Sequence, residues 1–454
     1  MPPLLPNQLL SSLEGLPGFD AAAFAAVHAA GAAPASIRIN PAKPPTTMPA
    51  NTTPIPWSSF GYYLDKRPSF TLDPLFHAGA YYVQEASSMF LEQALRQTID
   101  LTKAQRVLDC CAAPGGKSTL IQSLLSPDSL LVSNEVIKSR VSVLQENMIK
   151  WGAANTVVTN NDPRDFQRLE NYFDVILVDA PCSGSGLFRR EPEAIDEWST
   201  ANVALCSQRQ QRILADCWPA LRQDGILIYS TCSYSREEDE DVLDWLTTEF
   251  DAISCRLEVQ PEWNIVETTG KKGGYGYRFY PHRLKGEGFF IAAVRKNDGA
   301  AFSTPRRLNR PEKPGKKERE IIRSWISPAN PPGFFVHQEQ IHALPESRLT
   351  DIAVLQSALY LKEAGITLGQ AAAKDFIPHH HLAMSSIVDP EVPSLSVDRE
   401  QAVQYLRKEE LRPDTVYRGW VLVQYEGRNL GWIKALPQRS NNYYPKEWRI
   451  LKRE

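Results

Sequence analysis

Asp174-Val175-Ile176-Leu177-Val178-Asp179-Ala180-Pro181-Cys182-Ser183-Gly184 is the stretch that decides the fold of this chain. Four apolar residues stop at a run of turn formers. A short apolar run bounded in this way reads as a strand of a parallel sheet, buried on both faces. A second run, Gly225-Ile226-Leu227-Ile228-Tyr229, leads into Ser230-Thr231-Cys232-Ser233. A third, Val107-Leu108-Asp109, opens into Cys110-Cys111-Ala112-Ala113-Pro114-Gly115-Gly116-Lys117. Ligands of open α/β sheets bind outside the carboxyl ends of the strands. Cys182 and Cys232, 50 residues apart, are therefore expected to face one crevice together with the glycine loop. Two thiols beside a cofactor loop point to covalent chemistry on an electrophilic ring.

Outward from these runs, strands alternate with amphipathic helices. Strands are predicted at 106–109, 130–134, 156–159, 175–179, 226–229 and 289–294, and helices at 118–125 and 137–151. The alternation predicts an α/β fold with a Rossmann-like, doubly wound parallel sheet. It occupies residues 96–297. Residues 1–95 form a small α+β unit: an Ala-rich helix over 20–30, a strand over 36–40, a Pro/Thr-rich connection, then an aromatic segment. Those aromatics (Trp57, Phe60, Tyr62, Tyr63, Phe70, Phe76, Tyr81, Tyr82) read as a small core more readily than as a base-stacking platform. A basic, Pro-rich linker covers 298–317, followed by a first C-terminal unit at 318–385 and a β-rich unit at 386–454. The β-rich unit carries the hairpin signal Gly419–Tyr425, a turn at 426–429, and a strand over 430–436.

A chain of 454 residues suits two to four domains. Its net charge of −3 excludes a uniformly basic nucleic-acid coat. The charge is uneven, however: residues 271–323 hold fifteen Lys/Arg against five Asp/Glu. Such a run is a solvated linker or an RNA-contacting face. Seven cysteines with no C-x-x-C pair make neither a disulfide framework nor a zinc site, and fit a reducing cytoplasm. The first residues lack the basic region of a signal peptide, and no apolar run is long enough to span a membrane. His379-His380-His381 is not read as a metal site, since three consecutive strand side chains cannot all face one ion. No metal and no membrane contact is expected, and a monomer is.

The glycine loop is not a P-loop: G-x-x-x-x-G-K-[ST] would need glycine where Cys111 stands. The dinucleotide fingerprint is missing too. The loop still joins a strand to a helix, whose first amides suit a carboxylate or other polar ligand group. Acids stand at successive strand ends. Glu135 is placed for a ribose diol, Asp162 for an adenine amino group, and Asp179 ends the fourth strand. The ensemble fits S-adenosyl-L-methionine, held by Cys111, Ala112, Ala113, Pro114, Gly115, Gly116, Lys117, Glu135, Asp162 and Asp179.

The runs 109–117, 179–184, 229–233, 280–283 and 286–290 together resemble the Sun-type family of RNA cytosine-carbon-5 methyltransferases. Ser36-Ile37-Arg38-Ile39-Asn40 and Tyr82-Val83-Gln84-Glu85-Ala86-Ser87-Ser88 resemble the family's N-terminal signatures. The resemblance covers about residues 30–297, and the C-terminal part is similar to the bacterial branch that acts on 16S rRNA and ends in a PUA-like domain. It implies RNA recognition by residues 1–95, RNA binding by the PUA-like unit, and 16S rRNA or a small-subunit particle as substrate. It further implies Cys232 as nucleophile toward carbon 6 of cytosine and Cys182 as the group that assists product release. Asp179 then serves cofactor or cytosine, Lys117 supplies local positive charge, and His282 shapes the site or packs. Arg38, Lys271, Lys272, Arg278, Arg283 and Lys285 are candidates to track phosphates, and Trp420, Trp432, Lys434, Tyr443 and Tyr444 to grip structured RNA. Cys110, Cys206, Cys217 and Cys255 read as inert. The alternatives are tRNA as substrate, or a non-catalytic ribosome-assembly factor.

Overall fold

The computed structural model describes residues 5–31, 33–304, 308–329, 331–372, 375–411 and 417–452. Arg306 and Arg307 of the basic linker lie outside the described residues. Among the described residues the central element is a ten-stranded sheet. Its strands are β1 (Arg106–Asp109), β2 (Leu130–Asn134), β3 (Thr156–Thr159), β4 (Phe173–Asp179), β5 (Leu221–Thr231), β6 (Ala252–Cys255), β7 (Val266–Thr269), β8 (Tyr275–Phe279), β9 (Phe289–Lys296) and β10 (Leu361–Ala364). They lie in the order β7-β8-β9-β5-β4-β1-β2-β3-β10, with β6 also paired to β9.

β1 to β5 are parallel to one another. β9 runs antiparallel to β5, which corrects the expectation of an all-parallel sheet. An apolar run reports burial on both faces and carries no information on direction. β8 and β9, joined by a short connection, are antiparallel to each other as well. Successive side chains alternate between the faces. Leu108, Ile176 and Val178 enter one core. Val107, Val175, Leu177, Ile226 and Ile228 enter the other. Each such burial is worth about 1.5–3 kcal/mol.

Helices α1 (Gly116–Leu124), α2 (Lys138–Trp151), α3 (Thr200–Cys217) and α4 (Glu240–Glu249) flank the sheet. α3 begins at Ser199, whose side chain accepts from the Asn202 amide. α2 ends at Gly152 with φ 84°, where a Cβ would stand 2.2 Å from the Met384 carbonyl oxygen. Only glycine admits the C-terminal segment so closely.

The N-terminal unit is an antiparallel sheet of Ala35–Ile39, Thr52–Pro54, Gly61–Leu64 and Tyr81–Val83. Tyr81 is buried in its core, with Phe60, Tyr62, Phe70 and Phe76 packed partly buried against it, while Trp57 and Tyr63 are buried in the core shared with the central sheet. Two further four-stranded sheets follow the linker. The second contains the expected hairpin, Gly419–Tyr425 with Arg428–Ala435, turning through Glu426 and Gly427 at positive φ.

One strand was not anticipated. β10 comes from the segment read as an appended unit, yet it pairs antiparallel with β3 on the edge of the central sheet. Just before it, the Tyr360 backbone binds the Asn161 side chain through both its N–H and its carbonyl, at 3.0 and 3.1 Å. The C-terminal half thus supports the loop after β3. No helix of the described residues is long and apolar enough to cross a membrane.

Candidate active site

The loop after β1 is held by its carbonyls. Arg140 donates to the Ala113 oxygen at 2.6 Å, Asn147 to Pro114 at 2.8 Å, and Arg38 to Gly116 at 3.1 Å. Gly115 takes φ 114°, and a Cβ on Gly116 would press on Tyr82 at 3.2 Å. No side chain caps α1, so its first amides are open to a ligand. Asp109 is buried beneath the loop. One of its oxygens accepts from Ser118 at 2.6 Å, and the other has no protein partner. Burial pushes the Asp109 carboxyl up to about 7. The Cys111 thiol is pushed well above its ordinary range by its hydrogen bond with Cys110 and by burial. That loop position therefore offers backbone and no thiolate.

The acids stand where the strand ends place them. Glu135 is buried, accepts from the Ile137 amide at 2.9 Å, and pairs with Arg140 at 3.4 Å. Val136 and Ile137 beside it are about half exposed, at 50% and 49%, an apolar surface that the sequence reading missed. Asp162 caps a short helix by accepting from the Arg164 amide at 3.1 Å. Asp179 accepts from Lys117 Nζ at 2.8 Å and from Ser230 Oγ at 2.7 Å. Burial works against the Lys117 charge, but Asp179 and the neighbouring Cys232 hold its pKa above the ordinary value.

Cys182 and Cys232, each half-buried, meet with their sulfurs 2.8 Å apart. The hydrogen bond with Cys232, together with burial, pushes the Cys182 thiol well above its ordinary range. The Gly186 amide donates to the Cys232 carbonyl at 2.8 Å. Gly186 also packs so tightly that a Cβ there would stand 2.7 Å from that carbonyl and 2.6 Å from the Gly288 oxygen.

Beneath the sulfurs lies a buried polar cluster of Glu238, Ser183, Ser233, Gln210 and Tyr229, which the sequence reading also missed. In sequence, Glu237-Glu238-Asp239-Glu240 looks like a solvated helix start, and nothing there marks which acid turns inward. Burial raises the Glu238 carboxyl, offset by hydrogen bonds from Ser183 and Ser233.

Two of the expected phosphate contacts are corrected. Arg38 is 1% exposed, binds Gln84, Thr119 and Gly116, and lies over the Trp151 ring. Arg278 is 2% exposed and pairs with Asp239 and Glu240. Both are internal braces. A basic residue in sequence reads as surface, and the acids that hold it inside are distant in the chain. Lys271, Lys272, Arg283 and Lys285 are exposed.

His282 binds the Gly18 carbonyl at 3.2 Å and packs edge-on against Phe19 and Phe24, a structural role. His380 and His381 are buried, and His381 Nδ1 lies 3.6 Å from Glu363. No group of His, Cys, Asp and Glu among the described residues is placed to hold a metal ion. Trp420, Trp432 and Tyr444 are buried, while Tyr443 is exposed and Lys434 lies over Trp420. Cys110, Cys206 and Cys217 are buried, and Cys255 is half-buried.

A parallel core with an antiparallel strand added beside β5, and a glycine loop at its first strand, is the architecture of the S-adenosylmethionine-dependent methyltransferases. The chain belongs within that class to the family described as 16S rRNA methyltransferase RsmB/F, whose model matches residues 96–295. The models for the N-terminal domain of 16S rRNA methyltransferase RsmF and for the methyltransferase RsmF PUA domain match residues 5–86 and 392–450. Ribosomal RNA small subunit methyltransferase F of Aliivibrio fischeri (strain ATCC 700601 / ES114) is 30% identical over 415 residues, 87% of this chain and 85% of its own. The same protein of Psychromonas ingrahamii is 30% identical with the same coverage. Among solved structures, a methyltransferase homolog from Pyrococcus horikoshii is 28% identical at a TM-score of 0.50, covering 64% of this chain and 100% of that one. NSun6 from Pyrococcus horikoshii, 20% identical, shares the fold at a TM-score of 0.53, covering 64% and 98%.

Proposed function

We propose that this chain methylates carbon 5 of cytosine in 16S rRNA through a covalent bond between Cys232 and carbon 6 of the base. The observation that carries the reading is the pair of half-buried thiols at 2.8 Å, beside the Lys117–Asp179 ion pair.

S-adenosylmethionine supplies an electrophilic methyl group when bound. Its carboxylate would suit the uncapped amides at the start of α1. Glu135 would hold its ribose, the exposed Val136 and Ile137 would offer its adenine an apolar surface, and Asp162 would take the adenine amino group. Carbon 5 of cytosine is a weak nucleophile. Addition of the Cys232 thiolate to carbon 6 makes carbon 5 an enamine carbon able to take a methyl group. The covalent adduct then carries both methyl and proton on carbon 5, with the methyl donor left as a neutral thioether. A base takes that proton, directly or by way of Cys182, so that the double bond re-forms and the Cys232 sulfur leaves as a thiolate. Cys182, in contact with that sulfur, assists this release. Asp179, tied to Lys117 and Ser230, orients the polar edge of the base or the cofactor. The target base must leave its stack to reach the crevice. Residues 1–95, the basic linker 298–317 and the units after it serve to hold the RNA. Lys313, Arg319 and Arg323 line an open cavity of about 460 Å³ beside that linker, suited to phosphate.

Two experiments test the reading. Cys182→Ala is expected to trap a protein–RNA adduct on a denaturing gel, and Cys232→Ser to give none; the reverse pattern overturns the assignment. Bisulfite sequencing of total RNA from cells with and without the gene is expected to lose protection at one or a few cytosines of 16S rRNA. Loss in tRNA instead keeps the chemistry and moves the substrate.

A further inference from the structure

The two cysteines stand on loops from different strands. Cys182 follows β4 and Cys232 follows β5, so sheet pairing stops before either sulfur is reached. Beyond that point the loops meet through the Gly186 amide on the Cys232 carbonyl at 2.8 Å, the Tyr234 amide on Ser185 Oγ at 3.0 Å, and one buried carboxylate. Glu238, with no solvent exposure, sits in the turn Arg236–Glu238 ahead of α4. Its Oε1 accepts from the Ser183 amide at 2.8 Å and from Gln210 Nε2 at 3.0 Å. Its Oε2 accepts from Ser183 Oγ at 2.5 Å and from Ser233 Oγ at 2.7 Å. The carboxylate therefore holds the residue after each cysteine.

The turn that carries Glu238 is itself fixed. Tyr229 Oη donates to the Glu238 carbonyl at 2.6 Å, and Thr231 Oγ1 to Asp239 at 2.7 Å. Arg278 pairs with both Asp239 and Glu240. A buried carboxylate is tolerated only when it is fully hydrogen-bonded, and an apolar side chain of similar volume often stabilises as well or better. A charge in this position is therefore better explained by geometry than by stability. Two oxygens with four donors fix both loops at once, which no apolar group can do.

We propose that Glu238 is a positioning residue: it clamps Ser183 and Ser233, and through them holds the Cys182 and Cys232 sulfurs in the contact that product release requires. The proposal rests on the two-cysteine reading given above. Loosening the clamp leaves Cys232 able to add to the base but lets Cys182 drift from the sulfur it must help to expel. A misplacement of about 1 Å costs on the order of 100-fold in rate.

The test uses full-length protein, S-adenosylmethionine, and small ribosomal subunits from cells lacking the gene. Single-turnover methylation, KM for the subunit, and adduct on a denaturing gel are read for Glu238→Ala, Glu238→Gln, Cys182→Ala and wild type. Glu238→Ala is expected to slow release by about 10- to 100-fold and to accumulate adduct, with KM falling alongside kcat and kcat/KM for the subunit kept. Glu238→Gln keeps an oxygen toward the Ser183 amide and Gln210, turns its NH₂ to hydroxyls that can accept, and is expected to recover most of the rate. Should Glu238→Ala not fold, Ser183→Ala takes its place; it removes one strut on the Cys182 side and is expected to accumulate adduct as well. Wild-type release and adduct level in a folded variant overturn the proposal, as does a change confined to KM. If Cys182→Ala itself traps no adduct, the two-cysteine reading fails and takes the proposal with it. If Cys182→Ala traps adduct while the Glu238 and Ser183 variants release normally, the proposal fails alone.

Discussion

Gly186→Ala is the smallest change that moves Cys232, the proposed nucleophile, without touching it. The new methyl would stand 2.7 Å from the Cys232 carbonyl oxygen and 2.6 Å from the Gly288 oxygen, both backbone atoms. Ordinary van der Waals contact begins near 3.4 Å, so the two oxygens must retreat by about 0.7 and 0.8 Å (3.4 − 2.7 and 3.4 − 2.6). Neither can swing aside as a side chain would. Gly288 is itself tightly packed, with the Tyr234 ring of the Cys232 loop 2.4 Å from where a Gly288 Cβ would sit, so the displacement reaches the Cys232 loop from both sides. That loop also accepts the Gly186 amide hydrogen bond at 2.8 Å, which the shift strains. Overpacking of this size destabilises by about 1–3 kcal/mol. A reactive sulfur moved by most of an ångström loses on the order of 100-fold in rate. The assay is single-turnover methylation under saturating cofactor, beside a thermal melt and cofactor titration. The rate is expected to collapse while the fold and cofactor affinity survive. A Gly186→Ala enzyme with wild-type single-turnover rate refutes the argument that this contact positions Cys232.

Three further outcomes are expected. Lys117→Met removes the cation that Asp179 binds at 2.8 Å; losing a charge-assisted hydrogen bond of about 1.5–3 kcal/mol lowers kcat/KM by about 10- to 100-fold. Arg38→Met strips donors from the Gly116 and Thr119 carbonyls and from Gln84, and lowers unfolding free energy by about 3 kcal/mol, read by urea titration. The salt slope of RNA binding stays at the wild-type value, because Arg38 touches no phosphate. Asp109, an acid whose folded pKa is raised to about 7, keeps its proton when the unfolded chain has already lost it, so it makes stability fall as pH rises from about 4 to 7. Melting Asp109→Asn across that window is expected to remove a total fall of up to about 4 kcal/mol.

β1, β2 and β3 have in the structure the bounds that their apolar, β-branched runs predict, because burial on both faces leaves an unambiguous pattern. The same pattern could not give the direction of β9 or foretell β10, since pairing depends on chain far away in sequence. The convergence of Cys182 and Cys232 was legible from strand ends alone. Glu238 was not, because an acid among acids gives no sign of which one is buried. Arg38 and Arg278 failed for the complementary reason: their partners, Gln84 and Thr119 for one, Asp239 and Glu240 for the other, are brought near only by the fold.

β10 has a consequence for the order in which the protein comes into being. β3 is complete at Thr159 and its outer neighbour begins at Leu361, 202 residues later. At about 5–20 residues per second, roughly 10–40 s of translation separate the two. Throughout that interval the growing chain presents a bare row of backbone donors and acceptors beside the half-made cofactor crevice. Such an edge recruits other strands. A message truncated before codon 361 therefore yields a sticky polypeptide rather than a smaller enzyme, and the distal half of the gene acts as a built-in closure for the proximal half.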